Sequence, residues 1–138
     1  MSTTQEHDAL QDRFGELAAA MEAQDIDALM ACYDDALVFL ENGKERDKAA
    51  LKEYVQELWS ADSGFSVDLA TVHRVHDVLA VTLEASMSAE TPSGDEVTIS
   101  WPLFIAYQFD LATLKVVREV AFSDEAGVAE KFAAAGVA

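Results

Sequence analysis

Cysteine and basic residues are scarce in this chain of 138 residues, and long hydrophobic runs are missing. Its one cysteine, Cys32, excludes an intramolecular disulfide. Cys32 falls in a predicted helix with no base nearby in sequence, so we interpret it as a small buried apolar side chain rather than a nucleophile. No apolar run approaches the length of a membrane span, and residues 1–7 are polar. We therefore expect a soluble, cytoplasmic protein.

Positive charge is the second shortage. The chain has 9 Lys and Arg against 26 Asp and Glu, for a formal net charge of −17. Such a surface repels nucleic acid and anionic lipid, so neither is expected as a partner. Four of the bases lie in residues 43–52, which we interpret as a solvated turn with local pairs; anion binding at the following helix start is the alternative.

Three helices are predicted in the first half of the chain. Apolar residues recur at helical spacing over residues 5–23, which predicts the first helix. Asp25 or Asp27 can cap a short second helix, and Asp47 a third. A breaker at residues 62–64 ends the third helix.

Beyond residue 64 the hydrophobic period changes from about 3.6 to about 2, which predicts long strands separated by turns. Pro102 is expected at a bulge or an edge position of its strand. Residues 123–125 open a short C-terminal helix. The predicted strands, with one early member, are Ala36–Leu40, Phe65–Val75, Val78–Ala89, Val97–Phe109 and Lys115–Phe122.

The resulting order, α-α-β-α-β-β-β-β with a trailing helix, predicts an α+β fold. In it, three N-terminal helices pack on one face of a curved antiparallel sheet. The chain has no internal repeat, linker or low-complexity tract, so residues 1–138 are predicted to form a single domain.

Several short motifs support this order and carry a family resemblance. They are Asp25-x-Asp27-Ala28-Leu29, Tyr33-Asp34-Asp35-Ala36, Gly43 ahead of the third helix, and the closing Phe122-Ser123-Asp124. Over Leu10 to Asp124 the chain resembles the SnoaL-like branch of the nuclear transport factor 2-like superfamily, which has a cystatin-like fold. That superfamily includes ketosteroid isomerases, polyketide cyclases, scytalone dehydratases and epoxide hydrolases. The resemblance implies a cone with an internal pocket, and a homodimer formed through the convex face of the sheet.

The resemblance also tests the isomerase activity residue by residue. The position of the isomerase base falls at Leu40, with Glu41 one residue along; the helix-one tyrosine falls at Leu17 or Ala18, and the protonated aspartate at Ile105. Apolar side chains can neither abstract a proton nor stabilise an oxyanion, which argues against this chemistry. The carboxylate–arginine–carboxylate pattern of the epoxide hydrolases is not visible either, because the adjacent Arg118 and Glu119 point to opposite faces.

One histidine has a position suited to catalysis. His73 is in phase with Val67, Leu69 and Thr71, so we expect it to point inward, where it can act as an acid or base beside Tyr107 or Tyr54. The alternative is a core histidine that is held by a hydrogen bond. His76, three residues further on, faces the other side of the strand, so no metal site is predicted.

Two functions stay open at this point. The first is binding of a small hydrophobic molecule in the internal pocket. The second is a cofactor-independent isomerase, cyclase or dehydratase. The candidate catalytic residues are His73, Tyr107 and Glu41, and the candidate pocket residues are Trp101, Tyr54, Tyr33, Ile105, Leu40 and Leu17. The homodimer face is expected to carry Thr98, Ser100, Phe104, Ala106 and Gln108, with Glu84, Ser86 and Ser88 nearby.

Overall fold

A computed structural model of the chain describes residues 3–60 and 64–136. These residues form four helices and six strands. In chain order they are α1 (Thr3–Ala23), α2 (Ile26–Ala31), β1 (Tyr33–Glu41), β2 (Lys44–Arg46), α3 (Lys48–Ser60), β3 (Ser66–Val75), β4 (Val78–Glu90), β5 (Glu96–Phe109), β6 (Val116–Phe122) and α4 (Glu125–Ala134).

The strands form one curved sheet in the order β2-β1-β6-β5-β4-β3. Helices α1, α2 and α3 supply buried side chains such as Leu17, Leu29 and Leu51 to a core shared with the sheet. This arrangement confirms the predicted α+β fold with a short C-terminal helix. The β1–β6 pair is parallel and the other neighbouring pairs are antiparallel, so one pairing departs from the expected antiparallel sheet.

The predicted caps begin three of the helices. Asp25 accepts a 3.1 Å hydrogen bond from the Ala28 amide at the start of α2. Asp47 accepts one of 2.8 Å from the Ala50 amide of α3, and Asp124 begins α4 in the same way. Each carboxylate satisfies an amide that has no partner within its own helix. The first part of the predicted breaker, residues 62 and 63, lies outside the described residues.

Strand β3 contains a bulge that changes which side chains face the core. Leu69 pairs with Leu83 but Thr71 pairs with Thr82, so Ala70 is an extra residue in β3. An extra residue reverses the faces of all residues beyond it. Val72 therefore packs against the core. The predicted alternation is wrong beyond Ala70.

Two further local predictions have different outcomes. Within residues 43–52, which were expected to form a solvated turn, Lys44–Arg46 form the edge strand β2, antiparallel to β1, and Lys48 begins α3. Pro102 lies opposite Glu84 of β4, whereas β6 ends at Phe122, opposite Phe104. Pro102 therefore occupies an edge position without a bulge, where its missing N–H removes no ladder bond toward β6.

Candidate functional site

The inner face of the sheet and the helices enclose a cavity of about 830 Å³. Its size lies within the range of small-molecule sites, about 300–1,000 Å³. Residues of α1, α3 and α4 line it together with residues of the sheet, and most of them are apolar. The aromatic members of the lining are Phe14, Phe39, Tyr54, Trp59, Phe65, Trp101 and Tyr107.

Two rows of side chains cross the sheet beneath the cavity. In the first row Phe39 of β1 lies beside Glu119 of β6, and Glu119 lies beside Tyr107 of β5. The second row contains Glu41, Ala121 and Ile105. Since neighbours in register point to the same face, the sheet brings carboxylates from two strands to one cavity.

Glu119 is the one charged side chain in the buried core of the described residues, with 5% of its surface exposed. Its Oε1 accepts a 2.6 Å hydrogen bond from the Tyr33 hydroxyl. Burial raises the pKa of Glu119 to about 7, although the Tyr33 hydrogen bond opposes the rise. Glu119 can therefore both hold and release a proton near neutral pH, as a general acid or base must.

Tyr107 is the second buried polar residue of the cavity wall, and 6% of its surface is exposed. Its ring packs against Phe14 with the ring centroids 5.5 Å apart. Burial and the nearby Glu119 charge raise the pKa of Tyr107 well above its ordinary value, so its hydroxyl stays protonated. Among the described residues no protein group hydrogen-bonds to this hydroxyl, which leaves it available to a ligand.

A second polar group lies around Glu41 at the other end of β1. The guanidinium of Arg46 is 5.6 Å from the centre of the Tyr54 ring, and its Nη2 is 3.8 Å from Glu41 Oε1. Burial and then the Glu41 charge raise the pKa of Tyr54 to about 12. Arg46 itself is outside the lining, so Glu41 and Tyr54 are the members of this group that a ligand would meet.

Helix α4 closes part of the cavity with Glu125, Val128 and Ala129. The Asn42 amide donates a 2.7 Å hydrogen bond to Glu125 Oε1. The Lys131 ammonium donates one of 2.7 Å to the carbonyl oxygen of Ser100. No residue of α4 is fully buried, so this helix covers the cavity without joining the core.

Six of the residues predicted from sequence line the cavity together: Tyr107, Glu41, Trp101, Tyr54, Ile105 and Leu17. Tyr33 is buried but lies behind the wall, where it orients Glu119. The roles proposed for these residues stay predictions.

Besides Tyr33, two predicted residues do not reach the cavity. His73 is exposed on the outer face of β3, because the extra residue Ala70 reverses the faces beyond it. Leu40 also faces outward, since its neighbours Phe39 and Glu41 line the cavity. The position that the resemblance gives to the isomerase base thus points away from the cavity, and the next residue, Glu41, points into it.

Glu119 is the buried acid of the cavity wall, and sequence reasoning does not identify it as a site residue. The adjacent pair Arg118-Glu119 was correctly expected to point to opposite faces, and Arg118 is the exposed member. The usable signal is an acid within a strand whose neighbours are mostly apolar. Which face that acid takes is fixed only by pairing with β1 and β5.

Two further observations concern the part of the chain that the structure describes. There, no three His, Cys, Asp or Glu side chains are grouped in a way that could hold a metal ion. Over the same residues, no helix combines the length and the apolar character needed to cross a membrane.

The chain thus combines helices packed on a curved sheet with a mostly apolar cavity between them. Comparison of its sequence with protein-family models identifies the family. The chain belongs to the SnoaL-like domain family, whose model matches residues 14–118. No curated protein matches the chain in sequence.

Several solved structures share the fold. A protein of Shewanella denitrificans OS-217, named as a SnoaL-like polyketide cyclase, superposes with a TM-score of 0.77 at 13% identity over 91% of this chain and 98% of that one. IdmH of Streptomyces antibioticus, named as a polyketide cyclase, superposes with a TM-score of 0.74 at 13% identity, over 90% of this chain and 98% of that one. An LEH-like epoxide hydrolase of Mycobacterium tuberculosis superposes with a TM-score of 0.68 at 12% identity, over 90% of this chain and 92% of that one. At such identities the likeness shows the fold alone.

Proposed function

We propose that this protein binds a small hydrophobic molecule in its cavity, with one polar group of that molecule against Glu119 and Tyr107. The observation that carries the proposal is the pair of buried polar side chains in a mostly apolar wall. Apolar area provides affinity, and a few polar groups fix the orientation of a ligand. The polyketide-cyclase names of two structural neighbours are consistent with a hydrophobic ligand.

Intrinsic fluorescence can test this proposal directly. The chain has two tryptophans, and both Trp59 and Trp101 line the cavity. Saturable binding of the neutral alcohol 1-adamantanemethanol, or of the neutral dye Nile red, should therefore change the tryptophan emission. Absence of a saturable change with both probes, and with charged analogues of the alcohol, would contradict the proposal.

A cavity-filling variant provides the matched control. Ala121 lies in the second row of the cavity, and Ala121→Phe would occupy the space between Glu41 and Ile105. We expect this variant to bind the probes at least tenfold more weakly. Ala112→Phe, in the exposed turn after β5, adds the same ring outside the cavity and should bind normally. Circular dichroism would check that both variants fold.

A second candidate function is acid–base turnover of the bound molecule, as in a cofactor-independent isomerase, cyclase or dehydratase. The raised pKa of Glu119 favours it, because a carboxyl that titrates near neutrality can abstract and return a proton. In this proposal Glu119 takes the part first given to His73. Proton nuclear magnetic resonance in D₂O, with 2-decalone as an enolisable ketone, would detect exchange beside the carbonyl. Exchange that persists unchanged in Glu119→Gln would exclude this role.

We further propose that the protein is a homodimer formed through the outer face of the sheet. This face carries Phe104 and Phe122, with exposed fractions of 40% and 49%. It also carries the hydroxyl pair Ser86–Ser100, at 2.9 Å. The cytoplasmic location likewise stays a prediction.

A further inference from the structure

The charged side chains of the cavity wall all have one sign. Among the described residues that line it, five are acids and none is Lys, Arg or His. Four of the acids are partly or fully exposed, and we call Glu22, Glu41, Asp68 and Glu125 the rim acids. The fifth, Glu119, is buried. A negatively charged ligand would have to pass the rim acids and then approach a buried carboxylate.

Glu119 has no positively charged partner among the described residues. Its hydrogen bond comes from the neutral hydroxyl of Tyr33. The ion pairs of the described chain join Arg13 to Glu16, Arg46 to Glu41 and Lys48 to Asp35. A buried carboxylate without a counter-charge is unfavourable, and a cation that enters the cavity would remove that penalty.

The unpartnered hydroxyl of Tyr107 adds a second acceptor beside Glu119. Both residues are more than nine-tenths buried and both line the cavity. An ammonium group has three N–H donors and no acceptor, so it can donate to Glu119 and to the Tyr107 oxygen together. A carboxylate ligand has no N–H or O–H to offer the ionised Glu119.

The aromatic walls favour the same class of ligand. Phe14 packs on Tyr107, and Phe65 lies 6.5 Å from Trp101 between ring centroids. Aromatic faces attract cations within about 6 Å of their centres, most strongly where water is excluded. They also provide apolar area for a hydrocarbon ring.

We propose that the ligand of this cavity is a hydrophobic amine, whose ammonium group pairs with Glu119 and Tyr107 while its hydrocarbon ring packs on the aromatic walls. This inference rests on the proposed binding function and specifies the charge of the ligand. The rim acids disfavour the approach of carboxylates and favour that of cations.

Three probes of one shape test this inference. They are 1-adamantylmethylamine, 1-adamantanemethanol and 1-adamantanecarboxylate, which present a cation, a neutral hydroxyl and an anion on the same ring system. Binding is followed by tryptophan emission and by calorimetry at about pH 8, where the amine is charged and Glu119 is mostly ionised. We expect the amine to bind at least tenfold more tightly than the alcohol, and the carboxylate to bind most weakly.

Two variants assign the preference to Glu119. Glu119→Gln keeps the shape and removes the charge, so the amine should lose most of its advantage while the affinity for the alcohol changes little. Glu84→Gln removes one charge from the exposed outer face and should keep the full advantage. An equal preference for the amine in Glu119→Gln and in the unmodified protein would overturn the inference, because the general negative field would then explain it.

The outcomes for the unmodified protein separate the two proposals. If the alcohol or the carboxylate binds as tightly as the amine, the inference is wrong but the binding function stands. If none of the three probes binds and Nile red also fails to bind, the proposed function itself is wrong. These measurements need no variant, so they remain decisive even if Glu119→Gln does not fold.

Discussion

The hydroxyl of Tyr33 donates a 2.6 Å hydrogen bond to Glu119 across 86 positions of sequence. Tyr33 begins β1 and Glu119 lies within β6, so the parallel pairing of these strands brings the two side chains together. Tyr33 lies behind the cavity wall and Glu119 within it. Tyr33 is thus a positioning residue, which fixes the carboxylate and makes its ionised form less unfavourable.

Removal of this hydroxyl should raise the pKa of Glu119 further. In Tyr33→Phe the carboxylate loses the hydrogen bond that lowers its pKa, so Glu119 should titrate above the value of about 7 that it has in the unmodified protein. Carbon-13 nuclear magnetic resonance of labelled glutamate side chains would follow this titration. Tyr107→Phe, which removes a buried hydroxyl that does not hydrogen-bond to Glu119, is the control. A pKa of Glu119 that falls or stays constant in Tyr33→Phe would contradict the assignment.

Glu119 should also make stability fall as the pH rises. Its pKa is about 7 in the folded protein and about 4.5 in the unfolded chain, so the folded state binds more protons between these values. The free energy of unfolding therefore decreases through this window, by about 3 kcal/mol for a difference of this size. Below about pH 4.5 both states are protonated and the loss disappears.

Urea unfolding of Glu119→Gln across this range isolates the effect. The variant cannot ionise at this position, so its stability should fall less than that of the unmodified protein between about pH 4.5 and about pH 7. Subtraction of the two curves removes the contributions of the other acids. The free energy of unfolding of the unmodified protein minus that of the variant should fall with pH. A difference that stays flat, or one that rises with pH, would contradict the assignment of this group.

His73 should be dispensable. Its side chain is exposed on the outer face of β3, so we expect His73→Gln to change the free energy of unfolding by less than about 0.5 kcal/mol. Probe binding should also be unchanged, because the residue does not line the cavity. Thermal unfolding and tryptophan fluorescence would measure both. A large loss of probe binding in this variant would contradict the placement of His73 outside the site.

Local signals predicted the helices well, because each signal is complete within a few residues. Asp25, Asp47 and Asp124 cap helices through amides three residues away, a contact that sequence spacing alone defines. The turn at His76-Asp77, which lies between the predicted strands Phe65–Val75 and Val78–Ala89, is equally local and joins β3 to β4.

Strand faces were less predictable, since they depend on pairing with distant strands. In β6 the alternate residues Arg118, Val120 and Phe122 are at least as apolar as Val117, Glu119 and Ala121, yet Glu119 and Ala121 face the cavity. Pairing with β1 and β5 overrides the hydrophobic pattern. The same reason applies to Leu40: the face that it takes is set by pairing of β1 with β6 and not by the sequence of β1 alone.

The outer face of the sheet should hold two copies of the chain together. Phe104 and Phe122 are paired in register and their ring centroids are 6.4 Å apart, which gives an exposed aromatic patch beside the hydroxyl-rich ends of β4 and β5. We expect a dimer in sedimentation velocity experiments, and we expect Phe104→Asp to weaken it at least tenfold by placing a charge at its centre. Ala112→Asp adds the same charge in an exposed turn and should remain dimeric. A monomeric unmodified protein would contradict this prediction.

The extra residue Ala70 interrupts the alternation of β3 without deciding which later side chains line the cavity. Deletion of Ala70 would join Leu69 directly to Thr71, and Val72 would stay opposite Val81 and His73 opposite Ala80. The shortened strand would lose its bulge and keep a hydrocarbon side chain on the inner face at this point. One residue can therefore be gained or lost in this edge strand while the cavity wall keeps its chemistry, although the hydrophobic alternation along the sequence then changes completely.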